Sequence, residues 1–159
     1  MTLYMKKRPI NIAVVGGHKC SQKHYRQARE LGRLIAAEGW NLICGGGPGI
    51  MEAACRGAKE NGGTTVGILH SYDGREANRY LDVRLPTGIG FMRNVLIVRA
   101  ADVIIALNGE YGTLSEIAFA FNDITPVIGI DTWDIEGMVK VDSPSQAVKK
   151  ACSFIKKIL

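Results

Sequence analysis

The chain has 159 residues, of which 47% are hydrophobic and 22% charged, a length and balance typical of one globular domain with its own core. No apolar stretch is long enough to cross a bilayer, and the basic start of the chain lacks the apolar region of a secretory signal, so we expect a cytoplasmic protein without a membrane partner. The net charge of +5 is concentrated in Lys6, Lys7 and Arg8 and in lysines of the last helix, and no nucleic-acid motif accompanies it, so we expect no nucleic-acid partner.

Strand and helix patterns alternate along the whole chain. Short apolar, β-branched runs predict strands, and apolar residues that recur every three or four positions predict helices. In chain order, the pattern predicts strand 10–17, helix 25–38, strand 41–44, helix 50–60, strands 64–69 and 80–85, helix 93–100, strand 103–107, helix 114–121, strand 126–130 and helix 145–158.

Strands that are apolar on both faces and separated by helices are typical of a parallel sheet covered on both sides. Crossovers between parallel strands are right-handed. We therefore predict an α/β fold with a doubly wound parallel sheet, a three-layer α/β/α sandwich of the Rossmann type that forms a single domain over residues 1–159. The polar segment 70–79 is either a surface loop or a lid over a site.

The cysteines and histidines do not have the spacing of a metal site. Cys20, Cys44, Cys55 and Cys152 contain no CxxC pair, so we expect reduced thiols. The three histidines do not form a cluster of ligands in the sequence. We therefore expect no metal and no further cofactor.

A glycine-rich loop, Cys44 to Gly49, lies between the second predicted strand and a helix. Its glycines Gly45, Gly46, Gly47 and Gly49 let the backbone approach a ligand closely, and the start of the following helix favours phosphate. Ile50 stands where the dinucleotide fingerprint needs a glycine, and no Walker A lysine follows. A glycine-rich turn without a ligand is the alternative.

A second glycine loop, Asn108 to Thr113, again follows a strand and precedes a helix. Thr113 and Glu116 form the pattern T-x-x-E of a capping box, which would explain both residues without a function. In open α/β sheets ligands bind at the carboxyl ends of the strands. Two such loops together therefore predict a cleft for a nucleotide or another phosphorylated small molecule.

The segments GGGPGIMEA at 45–53 and NGEYGTLSE at 108–116 resemble those of the Lonely Guy (LOG) family, once mislabelled lysine decarboxylases. The chain is most similar to a short bacterial nucleotide-binding branch and is also similar to molybdenum cofactor carrier proteins. The resemblance implies a phosphoribohydrolase, which cuts the N-glycosidic bond of a nucleoside 5′-monophosphate. It also implies a homodimer or a higher homo-oligomer.

The LOG signature PGGxGTxxE and an earlier arginine imply the roles of individual residues. The catalytic glutamate falls on Glu116 and the catalytic arginine on Arg93. The resemblance implies that the first glycine loop forms one wall of the cleft and that Met92 or Tyr111 packs on a base. The implied phosphate-binding residues are Gly109, Tyr111, Gly112 and Thr113.

Three positions depart from the LOG pattern: Asn108 replaces the proline, Glu110 the second glycine, and Asn94 the lysine after the arginine. Glu110 either weakens phosphate binding with its charge or faces solvent. Two functions therefore stay open. One is a nucleoside monophosphate phosphoribohydrolase, and the other is a non-catalytic carrier of a phosphorylated ligand such as molybdenum cofactor.

Overall fold

The computed structural model describes residues 8–158; the basic residues Lys6 and Lys7 lie outside this range. Strands and helices alternate through most of the described part, as the sequence predicts. The strands are β1 Asn11–Gly16, β2 Asn41–Cys44, β3 Thr65–Leu69, β4 Val83–Pro86, β5 Val103–Leu107, β6 Val127–Ile130 and β7 Val139–Val141. The helices are α1 Gln22–Ala37, α2 Ile50–Glu60, α3 Asn94–Ala100, α4 Tyr111–Asn122 and α5 Pro144–Ile158, and a 3₁₀ helix spans Gly90–Arg93.

The strands form one parallel sheet in the order β4-β3-β2-β1-β5-β6-β7. The chain first adds β2, β3 and β4 on one side of β1 and then returns to place β5 on the other side. The register of that central pair runs from Ile12 opposite Val103 to Gly16 opposite Leu107. The strand order thus reverses between β1 and β5, the point at which open α/β sheets bind ligands. The predicted doubly wound fold is confirmed.

Alternate residues of the sheet enter two separate apolar cores. Ile12 and Val14 of β1 pack in the core that contains buried residues of α1, α2 and α5. Ala13 and Val15 point to the other face, where they pack with Ile97 of α3 and other residues of α3 and α4. The helices therefore cover both faces, which completes the three layers. Within residues 8–158, no helix has the length and apolar character to cross a membrane.

Two glycines allow α1 and α2 to pack with their backbones in contact. A Cβ atom added to Gly32 would lie 1.9 Å from the carbonyl oxygen of Ala54, and one added to Gly57 would lie 1.8 Å from that of Arg29. Neither position has room for a side chain, because backbone atoms cannot yield as the end of a flexible side chain can. These glycines therefore fix the distance between the two helices.

Helix α4 begins earlier than predicted, and this corrects the capping-box interpretation. It starts at Tyr111, with Glu110 at the N-cap position and no side-chain cap. Gly109, at a φ of 109°, lets the chain turn directly into the helix, and the amide of Leu114 donates to the carbonyl oxygen of Glu110 at 3.0 Å. Thr113 therefore lies inside the first turn, and Glu116 has no capping role.

Two further differences from the predicted elements lie toward the edges of the sheet. The strand predicted at 80–85 begins only at Val83, because the side chain of Asp82 accepts a hydrogen bond from the amide of Thr65 at 2.9 Å and ties the preceding segment to β3. Strand β7 has three residues, and the sequence pattern did not predict it. Its register with β6 places Val139 opposite Ile128.

Candidate functional site

A cavity of about 460 Å³ lies at the carboxyl ends of β1, β2, β3 and β5. Its wall contains both predicted glycine loops, the loop after β1, parts of segment 70–79, and the starts of α3 and α4. The cavity therefore lies at the point where the strand order reverses. The sequence-predicted residues that line it are Gly45, Gly47, Arg93, Tyr111, Gly112, Thr113 and Glu116.

Gly46, Gly49 and Gly109, also predicted as site residues, do not line the cavity. All three have a positive φ, between 69° and 109°, and a Cβ atom at each would lie within 2.6 Å of a neighbouring atom. Their positions in the structure indicate that they shape the two turns. These turns bring neighbouring residues of the two loops, such as Gly47 and Gly112, into the wall of the cavity.

Asn78 holds the first glycine loop in place through hydrogen bonds to its backbone. Its backbone amide donates to the carbonyl oxygen of Gly46 at 2.8 Å. Its side-chain amide donates to the carbonyl oxygens of Gly46 and Gly47, both at 3.1 Å. Because Asn78 is buried, these bonds are shielded from water. They fix the orientation of the peptide groups in the loop.

Segment 70–79, which contains Asn78, is anchored at its start by Glu76. The carboxylate of Glu76 accepts hydrogen bonds from the backbone amides of His70 and Ser71, at 2.8 and 3.0 Å, and from the hydroxyl of Ser71. Burial raises the pKa of Glu76, but the hydrogen bonds that its carboxylate accepts, those from Ser71 above all, together with the attraction of His70 outweigh burial and lower the pKa to about 2. The segment is thus bonded both to itself and to the glycine loop.

Arg93 ends the 3₁₀ helix and is buried against the first glycine loop. Its Nη1 donates to the carbonyl oxygen of Ile68 at 2.8 Å, while its Nε is buried and has no hydrogen-bond partner within residues 8–158. A Cβ atom on Gly45 would lie 2.3 Å from Nη1, so a side chain at this position would push the guanidinium out of its present place. Burial lowers the pKa of Arg93, and attraction to the ionised forms of Glu116 and Cys44 raises it in part.

Glu116 projects from the second turn of α4 into the wall of the same cavity. It is buried, with 7% of its surface exposed. Burial raises its pKa to about 8, although the attraction of Arg93 lowers it in part. A raised pKa favours the neutral form of this carboxyl group near pH 7, and the neutral form does not repel an anion that enters the cavity.

The comparisons with known proteins place the chain in a family. Residues 9–156 match the model of the SLOG cluster4 family. This chain belongs to the SLOG cluster4 family. An uncharacterised protein of Archaeoglobus fulgidus is 40% identical to it, over 91% of this chain and 95% of that protein.

This SLOG protein is also similar to an enzyme and to a cofactor-binding protein. A cytokinin riboside 5′-monophosphate phosphoribohydrolase of Mycobacterium tuberculosis is 33% identical over 67% of this chain, which spans 62% of that enzyme's length. The solved structure of a molybdenum cofactor binding protein from Rippkaea orientalis superposes with a TM-score of 0.85 and 34% identity, over 95% of this chain and 99% of that chain. The predicted resemblance to LOG enzymes and molybdenum cofactor proteins is confirmed.

The residues of this SLOG protein that depart from the LOG pattern have defined surroundings. Asn94 is buried, and its amide donates to the hydroxyl of Ser115 at 2.9 Å, so it links the starts of α3 and α4. Glu110 is exposed at the cavity, and its carbonyl oxygen accepts a hydrogen bond from the indole of Trp133 at 3.1 Å. The carboxylate of Glu110 therefore lies in solvent at the edge of the site.

Several lining residues were not among the predicted site residues. Gly16 ends β1, and Gly17 and His18 follow it; the double glycine at the end of a strand was the signal that could have found them. His70 and Glu76 line the cavity from segment 70–79, where no local motif marks them. Phe91 lines the cavity, whereas its neighbour Met92, predicted to pack on a base, does not. Within residues 8–158, no group of three or more potential ligands is arranged to hold a metal ion.

Proposed function

We propose that this protein binds a nucleoside 5′-monophosphate in the cavity and hydrolyses its N-glycosidic bond. The observation that carries the proposal is the burial of Arg93 and Glu116 in one wall, between the two glycine loops. The relatedness to a phosphoribohydrolase supports it. The products would be the free base and ribose 5-phosphate, with one water consumed.

The phosphate would bind at the start of α4. The first-turn amides of Tyr111, Gly112 and Thr113 have no partner within the helix, and the helix dipole adds positive potential there. All three residues line the cavity. The guanidinium of Arg93, with its unpartnered Nε, supplies the fixed positive charge of the site.

Glu116 would act on the sugar. Cleavage of the glycosidic bond develops positive charge on the ribose, which an adjacent carboxylate stabilises, and the same carboxylate can orient the attacking water. This role requires the ionised form of Glu116. The positive charge that develops on the sugar favours the ionised form of Glu116 in the transition state, so its raised pKa is compatible with the role.

A second candidate function is a non-catalytic carrier of a phosphorylated cofactor such as molybdenum cofactor. The observation that favours it is the superposition on the Rippkaea orientalis protein, which extends over nearly the whole of both chains. The exposed carboxylate of Glu110 at the cavity also favours a ligand other than that of the LOG enzymes, because it adds negative charge near the phosphate.

One experiment separates the two functions. The purified protein is incubated with AMP and with a cytokinin-type riboside monophosphate, and free base is measured by chromatography. Release of base that Glu116→Gln abolishes supports the hydrolase. Absence of release, together with tight binding of a phosphorylated pterin, contradicts the hydrolase and supports the carrier.

We also propose that the protein forms a homo-oligomer through α3 and α4. Met92, Leu96 and Phe119 are large hydrophobic residues on this side of the molecule and are exposed, and burial of such residues by a second copy would stabilise the assembly. Light scattering tests this. We expect the wild type to be larger than a monomer and Phe119→Lys to reduce its size; a monomeric wild type contradicts the proposal.

A further inference from the structure

Phe91 lines the cavity although most of its ring is in solvent. It is 75% exposed, and neither apolar core includes it. An aromatic ring that is exposed in the wall of a cavity offers a flat apolar face that a planar group of a ligand can cover. Phe91 therefore presents an exposed aromatic face inside the cavity wall.

The ring of Phe91 is backed by the imidazole of His70. The two rings are nearly parallel, with an angle of 10° between their planes and 6.0 Å between their centroids. The imidazole is itself held in place, because its Nδ1 lies 3.2 Å from Oε1 of Glu76. Glu76 is fixed in turn by the amides of His70 and Ser71. The two rings thus form a supported flat surface.

This surface has a fixed position relative to the cation of the site. Phe91 and Arg93 belong to the same 3₁₀ helix. The amide of Gly90, at the start of that helix, donates to the carbonyl oxygen of His70 at 3.0 Å. The rings and the guanidinium are therefore carried by one connected unit of backbone, in the wall of one cavity.

We propose that the stacked pair of Phe91 and His70 is the platform on which a planar heteroaromatic ring of the ligand lies. The inference rests on the proposed function, in which the cavity binds the ligand's phosphate, and it names the residues that select a ring-bearing ligand over a ring-free one. A heteroaromatic ring on Phe91 would cover its exposed face and continue the stack. Glu76 is a positioning residue for His70.

The test compares a ligand that has the ring with one that lacks it. Binding of AMP and of ribose 5-phosphate is measured by calorimetry in the Glu116→Gln background, where we expect release of the base to be strongly slowed, with and without Phe91→Ala. We expect Phe91→Ala to weaken AMP binding about tenfold and to change ribose 5-phosphate binding less than twofold. Phe91→Trp should retain AMP binding, since a larger ring can replace the platform.

Tyr72→Ala is the matched control, because Tyr72 is an exposed aromatic residue outside the cavity; it should change neither affinity. Unchanged AMP binding in Phe91→Ala, or an equal loss of affinity for both ligands, would contradict the stacking role of Phe91 and His70. The proposed phosphate site would not be affected by this outcome. If Glu116→Gln and the wild type both fail to bind ribose 5-phosphate, AMP and a phosphorylated pterin, the proposed function is wrong, and the stacking role of Phe91 is wrong with it.

Light scattering on each variant tests whether Phe91 instead contacts a second copy of the chain. A change of oligomeric state without a selective loss of AMP binding would assign Phe91 to such a contact and contradict the stacking role.

Discussion

Arg93 and Glu116 are buried in the wall of one cavity, and the attraction of the guanidinium offsets only part of the cost of burying the carboxyl group. The pKa of Glu116 therefore stays high, at about 8. A neutral carboxyl in the same wall as a fixed cation gives the site a positive character near neutral pH. This positive character is compatible with the proposed phosphate site.

The raised pKa of Glu116 predicts a dependence of stability on pH. The folded protein retains a proton on Glu116 up to about pH 8, whereas the unfolded chain releases it near 4.5. Between these values the unfolded chain binds fewer protons, so each pH unit should lower the free energy of unfolding by about 1.4 kcal/mol through this group.

Urea denaturation of the wild type and of Glu116→Gln at several pH values between 5 and 8 measures this slope. The glutamine variant should gain stability relative to the wild type as pH rises, because it has no proton to lose. Parallel pH profiles for the two proteins would show that Glu116 titrates normally.

For catalysis, we expect Glu116→Gln to lower the rate of base release from a nucleoside monophosphate by about 100-fold or more, because an amide cannot stabilise positive charge on the sugar. The matched control is Glu110→Gln, whose carboxylate is exposed at the same cavity. Its removal should leave the rate constant nearly unchanged and lower KM a few-fold, since one negative charge leaves the phosphate site. Equal rates for Glu116→Gln and the wild type would exclude Glu116 from the chemistry.

Asn78→Asp should disturb the first glycine loop. The substitution keeps the size of the side chain but removes the donor to Gly46 and Gly47 and places a carboxylate against their carbonyl oxygens. We expect a loss of about 1–3 kcal/mol in the free energy of unfolding and weaker binding of ribose 5-phosphate. Asn61→Asp removes an exposed donor to the carbonyl of Arg33 and should cost less; equal losses in the two variants would contradict a special role for Asn78.

Gly57→Ala should destabilise the protein although alanine favours helices. Its Cβ atom would collide with the carbonyl oxygen of Arg29, so α1 and α2 would have to separate, at a cost of about 1–3 kcal/mol. Gly112, also in a helix, has nothing within 4 Å of its Cβ position, and Gly112→Ala should be neutral or stabilising. Thermal denaturation compares the two variants, and a Gly57→Ala protein as stable as the wild type would contradict the tight helix contact.

Local patterns in the sequence predicted most of the framework. Strands 41–44 and 103–107 and helix 50–60 have the predicted bounds, because apolar periodicity and flanking glycines act over a few neighbouring residues. The start of α4 was not predicted correctly from the sequence. The T-x-x-E pattern favours a cap at Thr113, but the positive φ of Gly109 and the contact of Glu110 with Trp133 begin the helix earlier.

The sequence by itself determined the α/β class, the parallel sheet and the two glycine loops, since each follows from the spacing of nearby residues and from the backbone freedom of glycine. Only the tertiary structure decided that Glu116 and Arg93 are buried together, that Asn78 holds the glycine loop, and that His70 stacks on Phe91. Those relationships join residues far apart in the chain. Their energies depend on burial and distance, which exist only once the sheet has brought the loops to one edge.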